Sequence, residues 1–262
     1  MERVSIGEVS LAVNMVGSGK PLLLVHGFPL DHTMWQGQLR NLAKRYLVIA
    51  PDLRGFGQSD AATGVLSMQG HADDLAKLLD ALKITEPITL CGLSMGGYVA
   101  WQFAARHRSR LEKLIVADTK AAADAPEAAA NRLKTAASVL QKGSKLVADG
   151  MLPKLFPQQL IEAQAEIVQQ TYRVMESTRP ETIAWALQGM AERPDMSSLL
   201  PQLDLPTLVL CGQHDVIVTS AEMQSLAQQL PQGKFEEIAD AGHMAPLEKP
   251  VEANRAIAAF MG

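Results

Sequence analysis

Five short apolar runs recur along the chain and constrain its fold more than any other feature. They are PLLLVHG (21–27), YLVIAPD (46–52), PITLCGLS (87–94), LEKLIVADT (111–119) and PTLVLCGQHD (206–215). Each is the length of one strand, and each is continuously apolar rather than alternating. That pattern belongs to strands buried on both faces of a parallel sheet. KFEEIADAGH (234–243) is a weaker sixth run, and the alternating VSIGEVSLAVNMV reads as an opening hairpin. Helical periods lie between the runs. Leu75, Leu78, Leu79 and Leu82 follow the i, i+3, i+4, i+7 rule, as do Met223, Leu226, Ala227 and Leu230. Strands alternating with helices predict an α/β fold with a mainly parallel central sheet flanked by helices.

One stretch breaks this rhythm. Residues 120–201 contain no strand candidate, only an Ala-rich helix at 121–141 and further periodic segments. The reading is an α/β body of residues 1–119 and 202–262, with 120–201 inserted as an all-helical cap. Insertions beyond a strand's carboxyl end lie where open α/β sheets bind ligands.

Composition removes several classes. Apolar residues make up 47% of the 262 and charged residues 20%, which excludes a disordered chain. A net charge of −4 gives no electrostatic case for nucleic acid or an anionic membrane as partner. Cys91 and Cys211 sit inside apolar runs and read as buried thiols, not a disulfide framework. No secretory pattern opens the sequence and no apolar run approaches a bilayer span, so the setting expected is cytoplasmic. No Cys/His cluster has zinc spacing and no dinucleotide fingerprint follows a strand, so neither metal nor cofactor is expected.

The chemistry centres on Gly92-Leu93-Ser94-Met95-Gly96, which follows an apolar strand and opens a helical segment. In that context Gly-x-Ser-x-Gly forms a sharp turn presenting a serine hydroxyl above the sheet, with a helix N-terminus behind it. A serine needs a base and an orienting acid. His243, in the loop after the last strand candidate, is the best base. Asp215, just past the preceding strand, is the best acid, and Asp118 is its rival because it too ends a strand. The order Ser94, Asp215, His243 is one of the chain orders in which such a triad occurs. The backbone N–H groups of Met95 and Phe28 are placed to bind an oxyanion. His26 reads as a brace for the Phe28 loop, and His71 and His107 as solvated or satisfied helix side chains. Arg106, Arg108 and Arg110 read as a solvated helix end. Phe28, Met151, Leu152, Phe156, Trp185 and Val216 are candidates to line an apolar substrate pocket.

On these residues the chain resembles the α/β-hydrolase superfamily over essentially its full length. The matching features are HGFP (26–29), Trp35, PDLRGFGQSD (51–60), GLSMGG (92–97), GQHD (212–215) and AGHMAPLEKP (241–250). They look most like the small cytoplasmic esterase, enol-lactonase and cofactor-free haloperoxidase (perhydrolase) branch. The resemblance implies a Ser94, Asp215, His243 triad, an oxyanion hole at Phe28 and Met95, and structural roles for Asp52, Arg54 and Gly57. It also implies a small ester or lactone substrate, with water, or peroxide in its place, as the second substrate. A homo-oligomer is compatible with it. Ser94 sets the chain apart from dehalogenases and epoxide hydrolases of this fold, which carry Asp there. Perhydrolysis, enol-lactone opening and C–C bond hydrolysis are other outcomes of the same triad, and a ligand-binding or signalling homologue with little turnover is an alternative of another class.

Overall fold

The apolar runs pair edge to edge. The computed structural model describes residues 1–262. Its strands are β1 (Glu2–Ser5), β2 (Ser10–Val16), β3 (Pro21–Val25), β4 (Leu47–Pro51), β5 (Ile88–Leu93), β6 (Leu111–Ala117), β7 (Thr207–Gly212) and β8 (Gly233–Ile238). They form one eight-stranded sheet in the order β1-β2-β4-β3-β5-β6-β7-β8. β2 runs antiparallel to both of its neighbours, and every pairing from β4 to β8 is parallel.

The period of two along each strand divides the core into two apolar layers. Leu23, Val25, Leu90, Leu114 and Val209 enter one layer. Their neighbours Leu22, Leu24, Cys91, Ile115 and Leu208 enter the other. Full burial of each such side chain contributes about 1.5–3 kcal/mol, so two-sided strands anchor the sheet's centre. Helices cover both faces. They are α1 (Gln36–Leu42), α2 (Met68–Ala81), α3 (Met95–Arg106), α4 (Pro126–Lys142), α5 (Lys145–Leu155), α6 (Gln158–Glu162), α7 (Glu166–Ser177), α8 (Pro180–Ala191), α9 (Ser220–Gln229), α10 (Ala245–Glu248) and α11 (Pro250–Met261). Leucines of α2 pack in the first layer and Ile257 and Met261 of α11 in the second.

Helices α4 to α8 lie between β6 and β7, with no strand among them. α4 begins at Pro126 rather than at residue 121, because proline with its fixed φ and missing N–H suits the first helical position. These helices are pinned to the body by polar contacts as well as packing. Thr178 Oγ1 donates to Pro29 O at 3.0 Å, and Thr182 Oγ1 donates to Gly55 O at 3.0 Å. No helix is long and apolar enough to cross a membrane.

Asp52 organises the PDLRGFGQSD loop. Its Oδ1 accepts from His32 N at 2.8 Å and pairs with His32 Nδ1 at 2.7 Å, while Oδ2 accepts from Gln58 N at 2.8 Å. Burial alone would raise this carboxyl, but the bonds from His32 and Gln58 outweigh it and hold it below its ordinary value. Arg54 forks onto Asp74, with Nε at 2.8 Å from Oδ2 and Nη2 at 2.5 Å from Oδ1.

Candidate active site

Steric exclusion shapes the turn between β5 and α3. A Cβ at Gly92 would stand 2.2 Å from Gly96 O, and one at Gly96 would stand 2.2 Å from Val25 O. Only glycine lets β5, α3 and the end of β3 approach this closely. Ser94 sits at the apex with φ 54° and ψ −113°. That region is unfavourable for a residue with a side chain, at a cost of about 1–3 kcal/mol. Its backbone is held on both sides, since Ser94 N donates to Ala117 O at 2.9 Å and Ser94 O accepts from Thr119 Oγ1 at 2.7 Å. The hydroxyl does not cap its own helix. Ser94 Oγ instead lies 2.9 Å from His243 Nε2.

His243 Nδ1 lies 2.7 Å from Asp215 Oδ2. A carboxylate can only accept there, so Nδ1 carries the proton and Nε2 is left to accept from the Ser94 hydroxyl. Asp215 Oδ1 accepts from Ile217 N at 2.7 Å and Val218 N at 3.1 Å, which fixes the carboxylate against rotation. His243 is 2% exposed and Asp215 6%, so the pair is shielded from water, while Ser94 keeps partial access. Three residues from the ends of β5 and β7 and from the loop after β8 are thus brought into one hydrogen-bonded line.

Asp118, the rival acid, points elsewhere. Its Oδ1 accepts from Gly212 N at 2.8 Å, and it is fully buried. Burial, followed by the nearby Asp215 carboxylate, pushes its pKa well above the usual carboxylate range. Asp118, Cys211 and Asp215 bring three donor atoms within 4.8 Å of one another, as do Asp31, His32 and Asp52. In the first group burial raises the pKa of both the Cys211 thiol and the Asp118 carboxyl. In the second, Asp52 is taken up by His32 and Gln58, and Asp31 Oδ1 accepts from Thr33 N at 2.9 Å.

The backbone amides of Phe28 and Met95 have no protein acceptor. Met95 is the first residue of α3, where amides have no partner within the helix. His26 braces the Phe28 loop, with Nδ1 2.9 Å from Gly27 O and Nε2 accepting from Leu53 N at 3.0 Å.

The pocket candidates divide. Phe28 enters the same apolar cluster as Met95, with Met151 and Trp185 packed against it. Phe156 enters the other cluster, to which Met244 also belongs. Leu152 lines a groove with Ile161, Val168 and Tyr172. Val216 is 71% exposed. It follows Asp215, but the turn that aims the Asp215 carboxylate inward sends the next side chain out to solvent. His71 departs from expectation. It is 2% exposed against Phe56, Nε2 has no partner, and burial lowers its pKa to about 3. His107 is satisfied, with Nε2 2.8 Å from Asp73 Oδ1. Arg106 forks onto Asp73, Arg110 onto Asp80 and Ile84 O, and Arg108 donates to Leu111 O, so the basic cluster is spent on the protein itself. Sequence reasoning did not single out Thr119, which holds the Ser94 carbonyl, or Glu248, which lies beneath the His243 loop.

A family model described as alpha/beta hydrolase fold matches residues 20–250. The chain belongs to the alpha/beta hydrolase family. A solved structure of a thermophilic esterase from Thermogutta terrifontis, with malate bound, matches it at a TM-score of 0.97 and 45% identity, covering 100% of this chain and 98% of that one. The 3-oxoadipate enol-lactonase 2 of Acinetobacter baylyi is 31% identical over 92% of this chain and 88% of its own length. The enol-lactonase of Burkholderia xenovorans LB400 matches at a TM-score of 0.91 and 27% identity, covering 99% of both chains. This alpha/beta hydrolase is accordingly a hydrolytic enzyme.

Proposed function

We propose that this hydrolase cleaves small carboxylic esters through an acyl-serine intermediate, with Ser94 as nucleophile, His243 as general base and acid, and Asp215 as orienter. The observation that carries the reading is the continuous chain from Ser94 Oγ through His243 to Asp215, at 2.9 and 2.7 Å. In the first half-reaction Ser94 Oγ attacks the acyl carbon as its proton passes to His243 Nε2. Asp215 holds the imidazolium, and the amides of Phe28 and Met95 take the developing oxyanion. One such donor is worth about 2.7–4 kcal/mol in the transition state. The C–O bond breaks as His243 returns the proton to the leaving alcohol. Water then gives a proton to His243 Nε2 and attacks the acyl-serine, releasing the acid and restoring the Ser94 hydroxyl.

The helices of 120–201 act as a cap in this reading. Their half-buried apolar side chains Met151 and Trp185, which pack against the core cluster that holds Phe28, favour small uncharged acyl groups over long or ionic ones. A lactone is an ester closed on itself and needs no other machinery. Two relatives named as enol-lactonases favour it as the second reading. Turnover of p-nitrophenyl acetate and of an enol-lactone by wild type and Ser94→Ala tests both. Loss of turnover in a folded Ser94→Ala variant is expected, and unchanged turnover overturns the assignment.

A further inference from the structure

Beneath His243 lies a carboxylate that the mechanism does not use. Glu248, at the end of α10, is half-buried and forms no salt bridge. A partly desolvated acid without a cation carries a cost, and such groups concentrate near reacting centres. Its partners are backbone amides. Glu248 Oε1 accepts from Gly242 N at 3.0 Å and from Met244 N at 3.0 Å, and Oε2 also lies 3.0 Å from Gly242 N. These are the two amides that flank His243. The amide between them, His243 N, turns the other way and donates to Leu155 O at 3.1 Å. Leu155 ends α5, one of the inserted helices.

Three consecutive amides are therefore fixed in alternating directions. Glu248 fixes the peptide plane after the His243 Cα through Met244 N, Leu155 O fixes the plane before it through His243 N, and the bond from Gly242 N ties the preceding peptide to the same carboxylate. With those planes set, the direction of the His243 Cα–Cβ bond is set, and the Asp215 carboxylate fixes the ring beyond it. Close packing finishes the clamp, because a Cβ at Gly242 would stand 2.9 Å from Pro157 Cδ and 3.1 Å from Leu155 O.

The geometry points to Glu248 as a positioning residue for His243, a carboxylate clamp that orients the general base and keeps its backbone in register with the inserted helices. It touches neither substrate nor the reacting atoms. The inference rests on the proposed triad, in which His243 activates Ser94. Burial raises the Glu248 pKa to about 7 despite the two amides it accepts, and the nearby Asp215 carboxylate adds to the effect while Lys249 opposes it. Near neutral pH its oxygens accept from both amides in either protonation state.

The test compares Glu248→Ala, Glu248→Asp and Glu248→Gln with wild type, with concentrations of folded protein normalised by circular dichroism. The readouts are the rate of fluorophosphonate labelling at Ser94 and the kcat and KM for p-nitrophenyl acetate. Glu248→Ala is expected to lower kcat and the labelling rate about tenfold or more, with KM within about twofold, since misplacing a catalytic group costs rate rather than binding. Glu248→Gln keeps an acceptor at Oε1 and is expected to recover most of that loss. Should Glu248→Ala fail to fold, Glu248→Asp, which withdraws the carboxylate by one methylene, is expected to show the same kcat loss in reduced size. Wild-type labelling rate and kcat in a folded Glu248→Ala, or in a folded Glu248→Asp where Ala does not fold, would overturn the proposal. Equal labelling of wild type and His243→Ala would instead count against the triad itself.

Discussion

Ser94 and His243 meet at 2.9 Å, yet the protein holds them by different physics. The serine's turn is locked by exclusion. Gly92 and Gly96 admit backbone atoms where any side chain would collide, and the strands on either side are buried on both faces. The histidine's loop is held by hydrogen bonds, from Glu248 on its own side and from Leu155 on the inserted helices. Exclusion is insensitive to pH and fails abruptly when a methyl group is added. A polar clamp is graded, depends on charge, and links the base to the position of neighbouring helices. The difference teaches which half of the site can be adjusted and which cannot.

The largest expected effect is on the histidine side. Asp215→Asn leaves the packing in place but offers an amide that no longer requires the proton on Nδ1. A fall in kcat of about ten-thousandfold is the size that this change produces in other Ser-His-Asp triads. Steady-state kinetics with p-nitrophenyl acetate would read it, and a loss under about tenfold would mean that another acid, Asp118 first, can serve.

Gly96→Ala probes the serine side. The added methyl would stand 2.2 Å from Val25 O, so α3 or β3 must move. A displacement near 1 Å at a reacting group costs about a hundredfold in rate, and the strain should lower Tm by several degrees. Full activity together with an unchanged Tm would show that the turn has more room than its backbone contacts indicate.

The smallest effect separates the two means of support by pH. The Glu248 carboxyl titrates at about 7 in the folded chain against an ordinary value of 4.5, because burial outweighs its amide bonds. Its proton is therefore held more tightly in the folded state. The stability this confers is complete below about pH 4.5 and is lost as pH rises through about 7. Glu248→Gln cannot lose a proton, so its Tm should gain on wild type as pH goes from about 5 to about 8. Gly96→Ala should show a gap from wild type that does not change over that range. Calorimetry on both variants gives the comparison, and a constant gap for Glu248→Gln would remove the raised pKa from the account.

What could be read from the sequence follows the same division. The turn at Ser94 was legible because exclusion leaves its mark in composition, as glycines at fixed offsets from a serine at the end of an apolar run. Asp215 and His243 were legible through strand ends and chain order. Asp118 stayed a rival to Asp215 because both follow neighbouring parallel strands, and their side-chain directions separate them. For Val216 and Leu152 the sequence carries no sign of which way an apolar side chain in a loop or on a helix faces. His71 was a missed inference, since it stands four residues before Leu75 on the apolar stripe of α2. Glu248 lies inside the AGHMAPLEKP motif, but nothing in that string shows its carboxylate turning back onto the His243 loop. Its amide partners are four and six residues away, and the contact that completes the clamp comes from α5.

The central claim is that Ser94 carries the acyl group through the reaction. Rapid acid quench of the enzyme during turnover of a slow aryl ester, followed by intact-mass and peptide analysis, tests it most directly. The account predicts a single added acyl group on the peptide containing Ser94, present in wild type, absent in Ser94→Ala and cleared on standing in water. An acyl group on any other residue, or hydrolysis in Ser94→Ala at the wild-type rate, would contradict it.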